Sequence, residues 1–113
     1  MTEAGGDLAQ RSCVPCRGGV PPMPPAEVES YLARLAGWTH TGHKRIAKRY
    51  TFGRYAETVA FFNRVADTAE REGHHPVCTV GFRELTVEIW THKIDGLTES
   101  DFVLAAKIDS LAR

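Results

Sequence analysis

The chain reads as a single α+β domain in which a four-stranded antiparallel sheet carries three helices on one face, in the order α-β-β-α-β-β-α. Apolar residues recur at helical spacing in three stretches. Between the helical stretches lie two pairs of short segments with alternating polarity, each pair joined by turn residues. The 113 residues are one domain's length, and 42% of them are hydrophobic, enough for one core.

Residues 1–24 hold four of the ten glycines and four of the six prolines, with little apolar content. Such a segment gains little burial to offset its ordering entropy, so it is expected to be a flexible tail, loose or pinned only locally. The domain is expected to span residues 25–113. Its first helix is expected from Pro25 to Ala36. Proline suits the first turn, Val28, Tyr31, Leu32 and Leu35 form one stripe, and Gly37 sits where a left-handed cap is wanted.

Trp38 to Thr51 reads as a hairpin turning at Thr41-Gly42, with Ile46, Tyr50 and Phe52 on one side. Lys48 interrupts that alternation, which suggests a strand near a sheet edge. The second helix is expected from Tyr55 to Glu72, striped by Tyr55, Val59, Phe62, Val65, Ala66 and Ala69, widened by Phe61, and stopped by Gly73. In the second hairpin Cys78, Val80 and Phe82 alternate, then Leu85, Val87 and Ile89, around a turn near Arg83-Glu84. Thr86, Glu88, Trp90 and His92 face the other way. Asp95-Gly96 is a turn. Thr98 precedes Asp101 by three residues, a capping-box spacing ahead of the last apolar helix.

Fourteen basic residues balance fourteen acidic ones. Zero net charge argues against nucleic acid as a partner and leaves little repulsion against self-association. No stretch is long enough to span a membrane, and the N-terminus lacks the pattern of a secretory signal. An odd number of cysteines is no disulfide framework, so a cytoplasmic location is expected.

Three histidines stand out. His74 and His75 follow a helix end, whose partial negative charge favours a protonated imidazole. His92 ends the fourth strand, and antiparallel pairing can bring it to the other two. Imidazole is the side chain suited to exchanging protons near neutral pH. Neighbouring residues on extended backbone point apart, so His74 and His75 do not readily share a zinc ion, and no metal site is expected there. The structural alternative is a capping His74, a surface His75 and a strand-end His92.

The spacing Glu70, three residues, His74-His75-Pro76, five residues, Phe82, nine residues, His92, eight residues, Asp101 resembles the signature of the pterin-4a-carbinolamine dehydratase family. The likeness extends to Trp38, to Tyr50-Thr51-Phe52 and through the second helix. The resemblance implies the sheet-and-helix layout above, assembled as a homodimer or homotetramer. It implies that His74, His75 and His92 are catalytic and line a pterin pocket, with Glu70, Asp101 and Trp38 binding or orienting the substrate. The reaction implied is dehydration of 4a-hydroxytetrahydropterin to quinonoid dihydropterin, with no metal and no separate cofactor. Asp101 is equally explained as a cap, Glu70 as a solvated helix position and Trp38 as core.

Val77 and Cys78 depart from the family, where an acidic residue and a large apolar or aromatic residue are common. Cys13-Val14-Pro15-Cys16, Glu88-Ile89-Trp90-Thr91-His92 and the stretch from Gly96 to Asp109 resemble a dehydratase-like branch of chloroplasts and α-carboxysome-bearing bacteria. That branch is implicated in RuBisCO assembly, sometimes without activity. Enzyme and RuBisCO-binding assembly factor are therefore both open. The Cys13/Cys16 pair supplies only two zinc ligands. His40 and His43 would be needed to complete a set, and a reversible disulfide or no special role is the simpler reading. The basic run His43-Lys44-Arg45 with Lys48-Arg49 reads as a solvated strand side, with a docking patch as the alternative.

Overall fold

The computed structural model describes residues 6–14 and 18–112. The elements run α1 (Gly6–Ala9), α2 (Pro25–Leu32), β1 (Thr39–Thr41), β2 (Arg45–Thr51), α3 (Tyr55–Glu72), β3 (Val77–Val80), β4 (Glu84–Ile89), a 3-10 turn (His92–Ile94) and α4 (Glu99–Leu111). The expected sheet and its three helices are present, and the short α1 is an addition. No helix among the described residues is long and apolar enough to cross a membrane.

The strands form one antiparallel sheet in the order β1-β2-β4-β3, so the two hairpins join through β2 and β4. Ile46 pairs with Ile89, Lys48 with Val87 and Tyr50 with Leu85. This register puts the alternating apolar residues of both strands on one face, beneath the helices. Leu85, Val87 and Ile89 are fully buried there, packed in the same cluster as Val28, Phe61, Val65, Phe102 and Ile108. Thr86 and Glu88 lie on the opposite, half-open face.

Lys48 is not at a free edge, because β2 lies between β1 and β4. It faces the helices and is paired. Its ammonium donates to Asp109 Oδ1 of α4 at 2.8 Å and to the Ala36 carbonyl at 3.0 Å. Asp109 also accepts from the Tyr50 hydroxyl at 2.5 Å and from the Trp38 indole N–H at 3.0 Å. Burial, then this carboxylate, pushes the Tyr50 phenol up, so it stays a donor. One aspartate thus satisfies three polar groups that would otherwise be costly under the helices. Helix α2 ends at Leu32, earlier than expected. The segment after Leu32 tightens into i to i+3 turns, and Gly37, at φ 85°, passes beside the Lys48 chain where a Cβ would lie 3.0 Å from Cε.

Phe82 was expected on the β3 face but lies in the β3–β4 turn and is 66% exposed. Gly81 N–H closes that turn onto the Glu84 carbonyl at 2.7 Å, which pulls Phe82 out of the alternation.

The N-terminal segment is tied down at several points. Leu8 is fully buried in the core cluster. Asp7 pairs with Arg11 and Arg34, and Arg11 with Glu99. The Cys13 amide donates to Glu72 Oε1 at 2.9 Å, and this bond holds the Glu72 carboxyl below its usual range. Cys16 lies outside the described residues. Leu8→Ala is expected to destabilise the protein by about 2–5 kcal/mol in urea denaturation, as for other buried leucines; a midpoint unchanged from the parent would show that α1 is not docked.

Candidate functional site

Helix α3 ends in a way that fixes the first histidine. Gly73 takes the left-handed conformation at φ 65°. The His74 N–H reaches back to the Ala69 carbonyl at 3.1 Å. This pattern of bonds, with a left-handed glycine before the returning amide, is a Schellman stop. It sets the His74 backbone before any side-chain contact is made.

The side chain is then held from α4. His74 Nε2–H donates to Asp101 Oδ1 at 2.5 Å. Asp101 Oδ2 accepts from the Thr91 hydroxyl and from the Thr98 amide, both at 2.8 Å. Asp101 is completely buried and His74 is 13% exposed. An ionised carboxylate accepts and cannot donate, so a neutral His74 ring bonded to it carries its proton on Nε2 and its lone pair on Nδ1. Asp101 lies in the first turn of α4, where the helix dipole also favours negative charge. The capping box read from the sequence is present. The same residue therefore caps α4 and orients the imidazole. Because it is buried, it offers no surface for a ligand to touch.

His75 turns away from His74. Its Nε2 meets Glu70 Oε1 at 2.6 Å, and these side chains are 63% and 78% exposed. His92 does not continue the strand. It opens the 3-10 turn after β4, where the Thr91 N–H donates to the Gly96 carbonyl at 2.9 Å and closes the loop. Its ring lies parallel to Trp90, centroids 4.1 Å apart. The Arg45 guanidinium is also 4.1 Å from the Trp90 ring, within cation–π range.

His74, His75 and His92 line one cleft of about 400 Å³, together with Gly73, Trp90, Thr91 and Lys93. A second, more apolar hollow of about 260 Å³ adjoins it through His75 and is walled by Phe62, Val65, Ala69, Glu70, Pro76 and Cys78. Burial pushes the Cys78 thiol up to about 11, so it is a packing residue and a poor nucleophile. Trp38 is not part of either wall. It is buried in the core, with its indole on Asp109. Thr91 was not singled out from sequence. Its signal was a hydroxyl residue beside His92, at a position that alternation with buried Ile89 points inward.

The class defined by this fold and cleft is a small α+β protein that presents carboxylate-held imidazoles beside a flat aromatic wall, a layout suited to proton transfer on a planar ligand. The sequence pattern of the pterin 4 alpha carbinolamine dehydratase family matches residues 21–111. A Rickettsia bellii protein named "Putative pterin-4-alpha-carbinolamine dehydratase" is 47% identical over 92% of this chain and 93% of its own length. A protein of the same name from Rubrobacter xylanophilus is 44% identical over 93% of this chain and 98% of its own. The chain belongs to this family. Among solved structures, a transcriptional coactivator/pterin dehydratase of Brucella melitensis superposes with a TM-score of 0.77 at 27% identity, covering 81% of this chain and 99% of that one. A pterin dehydratase-like protein identified as a RuBisCO assembly factor in the alpha-carboxysome superposes with a TM-score of 0.59 at 28% identity, covering 69% and 92%.

Proposed function

We propose that the protein dehydrates 4a-hydroxytetrahydropterin to quinonoid dihydropterin by histidine acid–base catalysis. The observation that carries this reading is the His74–Asp101 pair, set on one cleft wall with His75 and His92 around the same space.

The reaction breaks the C4a–O bond and the N5–H bond. The hydroxyl leaves as water on taking a proton, N5 loses its proton, and the electron pair left at N5 forms the new double bond to C4a. Two exchanging groups are needed, and a histidine pair within hydrogen-bond reach supplies them. His74 suits the base: its Nε2–H is held by Asp101, so Nδ1 is the atom that accepts. His75, paired with an exposed carboxylate, exchanges protons readily with water and suits the acid. Trp90 and His92 offer a flat stacked surface for a planar ring. Asp101 and Glu70 are positioning residues in this scheme, and Trp38 has no part in it.

A second reading is an assembly factor for RuBisCO. It is supported by the likeness to the alpha-carboxysome protein, at 28% identity over 69% of this chain. The enzyme is preferred because relatives named as dehydratases match at 47% over 92% of it. Self-association as a dimer or tetramer is supported by Val77, Val80 and Phe82, exposed along and beyond the outer strand β3.

Stopped-flow measurement on 4a-hydroxytetrahydropterin is expected to show His74→Ala slower by about 10²–10⁴-fold. An intact protein no faster than His74→Ala and buffer would remove the enzyme reading. Light scattering on the same samples is expected to return a dimer or tetramer, and a monomer would contradict the self-association. Capture on the folded protein from the native host is expected to leave RuBisCO behind; recovery of a RuBisCO subunit would favour the second reading instead.

A further inference from the structure

At the opposite edge of the sheet from the outer strand β3, two histidines and a glutamate converge on one point. The β1–β2 turn is made by Gly42 and His43, both at φ 57°, and is closed by the Lys44 N–H on the Thr41 carbonyl at 3.0 Å. A left-handed conformation is uncommon for a residue with a side chain. Here it folds the His43 ring back onto the ring of His40, with centroids 3.9 Å apart. Both rings then point at α2. His40 Nε2 is 3.1 Å and His43 Nε2 2.9 Å from the same oxygen, Glu29 Oε2.

We propose that Glu29, His40 and His43 form a binding site for a late first-row divalent cation, with Zn²⁺ the natural occupant. The ligand set carries the choice of ion. Two imidazoles and a carboxylate suit zinc and its neighbours and do not suit calcium or magnesium, which take oxygen cages. Spacing agrees. Ligand atoms about 2.0–2.1 Å from a tetrahedral ion lie about 3.3 Å from one another, and the two nitrogen–oxygen separations are within a few tenths of an ångström of that. All three ligand atoms lie within 4.8 Å of one another. The side chains are 26%, 31% and 57% exposed for His40, His43 and Glu29, so an ion has an entry path and water can complete its shell.

This set differs from the cysteine-containing one considered from sequence. Cys13 is committed elsewhere, with its thiol on the Ser100 carbonyl at 3.5 Å. Burial, then Glu72, pushes that thiol up to about 12, which makes it a poor ligand. None of the three residues lines the histidine cleft, so the site is separate from the proposed chemistry. Its three ligands come from α2, β1 and the hairpin turn, and an ion there would clamp the first helix to the short edge strand. Coordination through Nε2 moves the His40 proton to Nδ1, which now accepts from the His43 amide at 3.1 Å. That amide would therefore lose its acceptor.

The test is Zn²⁺ titration of the tag-free full chain by calorimetry, with the melting temperature and the His43 amide resonance followed in parallel. One saturable site, a raised melting temperature and a shifted His43 amide are expected. Glu29→Gln, which keeps the shape and hydrogen bonding of the parent, and His40→Ala should each weaken binding by at least about tenfold. Unchanged affinity in both variants would overturn the assignment. So would loss of binding in a Cys13→Ser, Cys16→Ser double variant or in His75→Ala with Glu29→Gln unaffected, or no binding at all by folded protein.

Discussion

The contact on which the site depends is the hydrogen bond between His74 and Asp101. It joins the C-terminal stop of α3 to the first turn of α4, two elements that the chain separates by a whole hairpin. Asp101 is buried without any exposed surface, and a buried carboxylate is tolerated only when its oxygens are bonded. Here they accept from an imidazole, a hydroxyl and a backbone amide. Removing any donor would leave a buried carboxylate oxygen short of a hydrogen bond. The fold therefore needs the imidazole where the proposed chemistry needs it, and stability and site geometry are set by the same group.

A second aspartate does for the scaffold what Asp101 does for the cleft. Asp109, two turns further along α4, gathers Trp38, Lys48 and Tyr50 from the first hairpin. Together the two carboxylates lock α4 to both hairpins. Helix packing by apolar burial alone fixes position loosely, since hydrophobic contact is not directional. The two polar anchors add the direction.

Local signals in the sequence were sufficient for most of the architecture. Leu85, Val87 and Ile89 alternate because one sheet face is buried, Gly73 is placed to stop α3, and the Thr98-to-Asp101 spacing marks the start of α4. The three cleft histidines were legible from chain positions at element ends and from the family resemblance. What could not be read were polar groups answered from a distance. Lys48 looked like an edge residue because its partner, Asp109, lies 61 residues on. Trp38 looked available for a ligand for the same reason. Glu29 carried no signal of its own in the sequence, and the β1–β2 hairpin is what brings His40 and His43 against it. Leu8 sat in a stretch too rich in glycine and proline to promise burial, yet one leucine reaching the core was enough to dock it. Periodicity records which face is apolar, and it carries no information on which distant side chain meets a charge.

The central claim is that Asp101 holds the His74 ring with its proton on Nε2. Long-range proton–nitrogen NMR of histidine-labelled protein reads that tautomer directly. The account predicts a His74 spectrum with Nε2 protonated and Nδ1 bare in the parent, and loss of that fixed pattern in Asp101→Asn. A proton on Nδ1, or a His74 spectrum that the Asp101→Asn change leaves untouched, would contradict it.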